Sequence, residues 1–125
     1  MHKKILVVED DPDIRECLQE AFEMIGYASH AACNGKEALE LLENCELLPC
    51  LIILDLMMPI MTGHQFCDLK MANPKFASIP VVVVSADSNV AQKAARLGAH
   101  DSITKPVDFA VLIKLTEKYC GPESA

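Results

Sequence analysis

Three carboxylates, Glu9, Asp10 and Asp11, follow the apolar run Ile5-Leu6-Val7-Val8. A fourth, Asp55, ends a second run, Leu51-Ile52-Ile53-Leu54, and Lys105-Pro106 closes a segment further along. Like charges crowded at neighbouring strand ends are unfavourable unless something neutralises them. A hard divalent cation does so, and Mg²⁺ suits one or two carboxylates with waters and a phosphate oxygen better than a full protein cage. An ionised aspartate needs no separate base to attack phosphorus, so Asp55 is the natural nucleophile for an acyl phosphate. The Lys105 ammonium and the Ser85 hydroxyl could offset charge on the phosphoryl oxygens in a loose transition state. The set outlines a phosphate-transfer site with Glu9, Asp10 and Asp55 as metal ligands.

Positioning these groups requires strands that end together. Apolar runs with no polar face read as strands buried on both sides of a parallel sheet, and ligands then gather beyond their carboxyl ends. Five strands are expected near 4–9, 28–32, 51–55, 80–85 and 101–104. Between them, Asp11 should cap a helix that begins at Pro12 and carries Ile14, Cys17, Leu18, Ala21, Phe22 and Ile25 inward until Gly26. Asn34-Gly35 opens a second helix with Ala38, Leu39, Leu42 and Cys45 facing in and Glu37, Glu40 and Glu43 facing out. A third follows Gly63 and ends near Asn73-Pro74. A fourth, capped by Asn89 and ending at Gly98, would bury Val90, Ala91, Ala94, Ala95 and Leu97; these are mostly small side chains, so it should be the least firmly attached. The fifth follows Asp108 and would place Phe109, Leu112, Ile113 and Thr116 on one face. Right-handed crossovers then give a single-domain α/β fold, a doubly wound parallel sheet of five βα units in the flavodoxin-like order 2-1-3-4-5.

The 125 residues fit one domain, large enough for a core without staples. No apolar stretch approaches the ~20 residues of a membrane span, and the start lacks a signal-peptide core, so no membrane insertion and a cytoplasmic location are expected. The six cysteines form no Cys-x-x-Cys pair and read as reduced packing thiols. A net charge of −7 without a basic block argues against direct nucleic-acid binding.

The segments "ILVVEDDPDIRE", "LIILDLMMPIMTG", "IPVVVVSA" and "GAHDSITKP", in this order and spacing, resemble the receiver domain of two-component response regulators across almost the whole chain. The resemblance implies that Asp55 accepts phosphate from a histidine kinase or histidine phosphotransfer protein, and that Glu9, Asp10, Asp55 and the Met57 carbonyl organise Mg²⁺. It also implies that Ser85 and Lys105 contact the phosphoryl group, that Lys105-Pro106 is cis, and that a downstream protein target reads the phosphorylated state. Two positions depart from the pattern. Ser102 stands where an aromatic residue usually completes the switch with the hydroxyl at Ser85, and Thr62 replaces the usual acid or asparagine before Gly63.

Three other functions compete. Aspartyl-phosphate phosphatases of the haloacid dehalogenase type resemble Asp-x-Asp, whose second acid protonates the leaving group; here Met57 occupies that place, leaving only slow self-dephosphorylation. A flavodoxin-like nucleotide binder needs a phosphate-cradling loop after the first strand, where Glu9-Asp10-Asp11 would repel the ligand. A phosphorylation-independent binding module would not need Asp10, Asp55, Ser85 and Lys105 together. With no effector domain after Cys120, the chain is expected to be a stand-alone regulator of the chemotaxis or sporulation-relay type, the alternative being a module excised from a larger regulator or hybrid kinase.

Overall fold

Side chains alternate across a strand, so a strand buried on both faces must supply two separate cores. The computed structural model, which describes residues 4–56 and 62–121, follows that rule. Five strands, β1 (Lys4–Val8), β2 (Ala28–Ala32), β3 (Leu51–Asp55), β4 (Val81–Ser85) and β5 (Asp101–Thr104), alternate with five helices, α1 (Pro12–Met24), α2 (Gly35–Asn44), α3 (Gly63–Ala72), α4 (Val90–Leu97) and α5 (Phe109–Cys120). All strand pairs are parallel and the order is β2-β1-β3-β4-β5. Leu6, Val8, Ile52, Leu54, Val81 and Val83 pack one face against α2, α3 and α4; Ile5, Val7, Leu51, Ile53, Val82 and Val84 pack the other against α1 and α5. The expected strands hold to within one residue, Glu9 and Pro80 falling outside.

Local chemistry explains most helix ends. The Asp11 carboxylate accepts from the Asp13 and Ile14 amides with Pro12 at the first helical position, Asn34 accepts from Glu37, and Asp108 accepts from Ala110. Thr62 and Gln65 form a reciprocal capping box, so Thr62 keeps the capping function and Gly63 is the first helical residue. Gly98 ends α4 in the left-handed conformation at φ 75°.

Several expectations are corrected. Asn89 precedes α4 without any side-chain capping bond. Ala91 and Ala95 are exposed and only Val90 and Ala94 of α4 are buried, because an eight-residue helix buries a narrow stripe. Cys17 and Phe109 are exposed as well, since Leu18 and Phe22 of α1 and Leu112 and Thr116 of α5 already fill the contact with the sheet. Two cysteines are not free thiols: Cys50, just before β3, and Cys120, ending α5, form a disulfide with Cα atoms 5.4 Å apart. Parallel strands and antiparallel return helices bring a strand start and a helix end to the same pole of the sheet, a proximity that a sequence separation of 70 hides.

Gly63 lies against the backbone that follows Asp55. A Cβ there would sit 2.9 Å from Leu56 Cα, and the Gly63 amide donates to the Leu56 carbonyl at 3.2 Å. Gly63→Ala should therefore cost about 1–3 kcal/mol in urea unfolding, more than an alanine at the exposed position His64.

Candidate functional site

Register alone converges the acids. Val8 pairs with Leu54, so Glu9 and Asp55 emerge side by side from the two central strands. Asp55 pairs with Val84 and Ser85 pairs with Thr104, which brings Ser85 and Lys105 to the same edge. Glu9, Asp55 and Ser85 are 2%, 5% and 2% exposed, whereas Asp10 stands at the open rim. Carboxylate oxygens of Glu9, Asp10 and Asp55 lie within 4.8 Å of one another. The Lys105 ammonium bridges the buried pair, 3.2 Å from Glu9 Oε1 and 3.4 Å from Asp55 Oδ2.

Burial, followed by the hydrogen bond and repulsion from Asp55, pushes the Glu9 carboxyl up to about 7, although the Asp11 amide and Lys105 pull it down. Burial works the other way on Lys105, yet the charges of Asp55 and Glu9 outweigh it and hold the ammonium above its ordinary value. The site therefore keeps its cation at neutral pH while resisting a full set of buried anions.

Of the residues expected here, Glu9, Asp10, Asp55, Ser85 and Lys105 are brought together around one crevice. The Lys105-Pro106 bond is cis, and the Lys105 amide donates to the Ser85 carbonyl at 2.8 Å. Met57 lies outside the described residues. Ser102 is half-buried and pairs with Val83, two residues below the Ser85–Thr104 level. Sequence reasoning missed three supporting groups. Arg15 Nη1 donates to the Glu9 and Asp10 carbonyls at 2.9 and 3.4 Å, one helical turn after Asp11, where a cation could have been noticed. The Asp11 amide donates to Glu9 Oε2 at 3.3 Å. The Asp87 amide donates to Ser85 Oγ at 3.2 Å, and its carboxylate pairs with Lys93.

A carboxyl raised in the folded state binds more protons there than in the unfolded chain, so stability falls as pH rises. For Glu9 that window runs from about 4.5 to about 7. Without divalent cations, the wild type should lose on the order of 5 °C more melting temperature across this window than Glu9→Gln. Parallel thermal scans at pH 5 and pH 8 check it.

Comparison with known proteins agrees with this geometry. The model of the response regulator receiver domain matches residues 5–117. A 14.6 kDa protein in the sodA1 3′ region of Leptolyngbya boryana is 41% identical over 118 residues, 93% of this chain and 88% of that protein. The response regulator MprA of Mycobacterium sp. (strain KMS) is 32% identical across 99% of this chain, which spans 56% of that regulator. The signal receiver domain of a signal transduction histidine kinase from Syntrophus aciditrophicus has a TM-score of 0.84 at 33% identity, covering 94% of this chain and 89% of that one. A family match over residues 5–117 thus joins the 2-1-3-4-5 sheet and its strand-end acids, and the chain belongs to the response regulator receiver domain family.

Proposed function

We propose that this chain is a cytoplasmic phosphoaccepting switch of a two-component system or phosphorelay, with Asp55 as the sole acceptor. The observation that carries this reading is a buried Asp55 carboxylate clustered with the Glu9 and Asp10 acids and in contact with the Lys105 ammonium. An Asp55 oxygen attacks the phosphorus of a phosphohistidine on a kinase or phosphotransfer protein, the P–N bond breaks, and the imidazole leaves with the bonding pair. Lys105 offsets negative charge on the transferring oxygens and Ser85 offers its hydroxyl as a donor. Arg15 and the Asp11 amide hold the Glu9-Asp10 backbone and the Glu9 carboxylate in place.

An all-oxygen, acid-rich donor set fits Mg²⁺, which Glu9, Asp10 and Asp55 would hold together with the Met57 carbonyl. When bound, it neutralises charge on the phosphoryl oxygens and the surrounding carboxylates. The chain is a switch rather than a phosphatase, because Met57 stands where a general acid would be needed. Its output is altered binding of a downstream protein, with no direct nucleic-acid contact. Among the described residues, no helix is long and apolar enough to cross a membrane.

Incubation with a small phosphodonor and Mg²⁺ should add one phosphate by intact mass, and Asp55→Asn should abolish it. Lys105→Ala should slow incorporation on the order of 10²-fold. Stoichiometric labelling of Asp55→Asn would reassign the acceptor.

Ser102 shapes the readout. A ring that is buried in one packing and exposed in another biases the two by about 1 kcal/mol or more, whereas a serine offers little differential area. The response should then stay near the phosphoryl group and in α4, which buries only Val90 and Ala94. Hydrogen exchange with and without a beryllofluoride mimic should change mainly over residues 56–64 and 85–98. Equally large changes across 100–118 would remove this role for Ser102.

A further inference from the structure

We infer that Cys50 and Cys120 form a reversible thiol–disulfide couple that fixes the last turn of α5 to the start of β3 according to the redox state around the protein. The bond is not needed as a folding staple. Both sheet faces carry continuous apolar cores, and a domain of this size buries enough surface without one. Nor is the chain built like a secreted disulfide framework, in which cysteines are consumed in pairs. Cys17, Cys33, Cys45 and Cys67 remain thiols beside the single bond, with Cys17 exposed and Cys33 and Cys45 half-buried. Exchange of such a bond requires a thiolate that can reach one of its sulfurs. Cys50 is half-buried whereas Cys120 is 8% exposed and belongs to the core, so Cys50 is the more accessible partner for a small thiol once the helix end opens.

The bond's position gives it an effect. Beyond core packing through Leu115, Tyr119 and Cys120, the C-terminal turn of α5 is held by polar contacts: the Tyr27 hydroxyl donates to the Gly121 carbonyl at 2.5 Å, and the Tyr119 hydroxyl donates to Asp101 Oδ2 at 2.6 Å. Polar contacts at a helix end open far more readily than a covalent link. Oxidation is balanced by a low-molecular-weight disulfide such as oxidised glutathione. The Cys50 thiolate attacks one of its sulfurs and expels a glutathione thiolate, and the Cys120 thiolate then attacks Cys50 Sγ and expels the second. Two protons leave the protein thiols, one bond forms between Cys50 and Cys120, and two reduced glutathiones result. Excess reduced glutathione runs the steps backward.

The full chain, equilibrated in mixtures of reduced and oxidised glutathione, quenched with acid and alkylated, should switch reversibly between four and six alkyl adducts by intact mass. Peptide mapping should place the change at Cys50 and Cys120, and Cys50→Ser should lack the internal bond. Amides of residues 117–121 should exchange about tenfold faster in the reduced wild type, with the β1 and β4 amides unchanged. Because that comparison uses one sequence in two states, it stands even where Cys50→Ser folds poorly. A pair that stays oxidised in excess reduced glutathione, or reduced in excess oxidised glutathione, would overturn the couple. Equal exchange at 117–121 in both states would overturn its hold on α5.

Discussion

Two carboxylates, Glu9 and Asp55, are almost fully buried side by side, and the ammonium of Lys105 lies between them. Burying an ionised carboxylate costs several kcal/mol unless a counter-charge and hydrogen bonds compensate, and two together add repulsion. The pair persists because register leaves it no alternative: β1 and β3 are the central neighbours, their parallel alignment is set by Val8 against Leu54, and the next residue of each is an acid. The two apolar faces below offset that cost and hold the strand ends that carry the acids. The result is an incompletely neutralised pocket whose net charge favours an additional cation and, with it, a phosphoryl group.

The same reasoning explains why so much of this domain was legible in its sequence. Short continuous runs rich in β-branched residues, such as Ile5–Val8 and Leu51–Leu54, favour a strand covered on both sides, and once the strands are parallel the residues at their carboxyl ends share an edge. Asp11-Pro12, Asn34-Gly35 and Asp108 capped helices as their side chains permit, since a cap is a contact within four residues. The clustering of the candidate site residues was readable for this reason too: Asp55 and Ser85 end their strands, Glu9 and Lys105 come directly after theirs, and Asp10 follows Glu9.

What escaped the sequence depends on tertiary neighbours. Ala91 and Ala95 fit an apolar stripe by spacing, but α4 is short and the space beneath it is filled by Val90 and Ala94. Phe109 satisfies the period of α5 yet lies outside the sheet's shadow, beside Pro106 and Ile14 along a groove next to the site. Arg15 lies within the first segment that carries the resemblance, but its contact with the Glu9 carbonyl is visible only in the folded structure. The disulfide is the clearest case, because the absence of a Cys-x-x-Cys pair says nothing about cysteines that topology unites from afar.

Helix α5 links the two poles of the sheet. Its first residue follows Asp108, three positions after Lys105, and its last is covalently tied to the strand starts. The two ends are held unequally. At the site end Phe109 and Val111 are 46% and 43% exposed, so the first turn rests on the Asp108 cap and on Leu112, which is 1% exposed. At the far end the disulfide, Tyr27 on Gly121 and Tyr119 on Asp101 converge within three residues. Of the two ends of α5, the turn nearest Lys105 is the one with fewer cross-links. The lysine that neutralises the acids is therefore carried on the segment between β5 and the less cross-linked end of this helix, four residues of chain before Phe109.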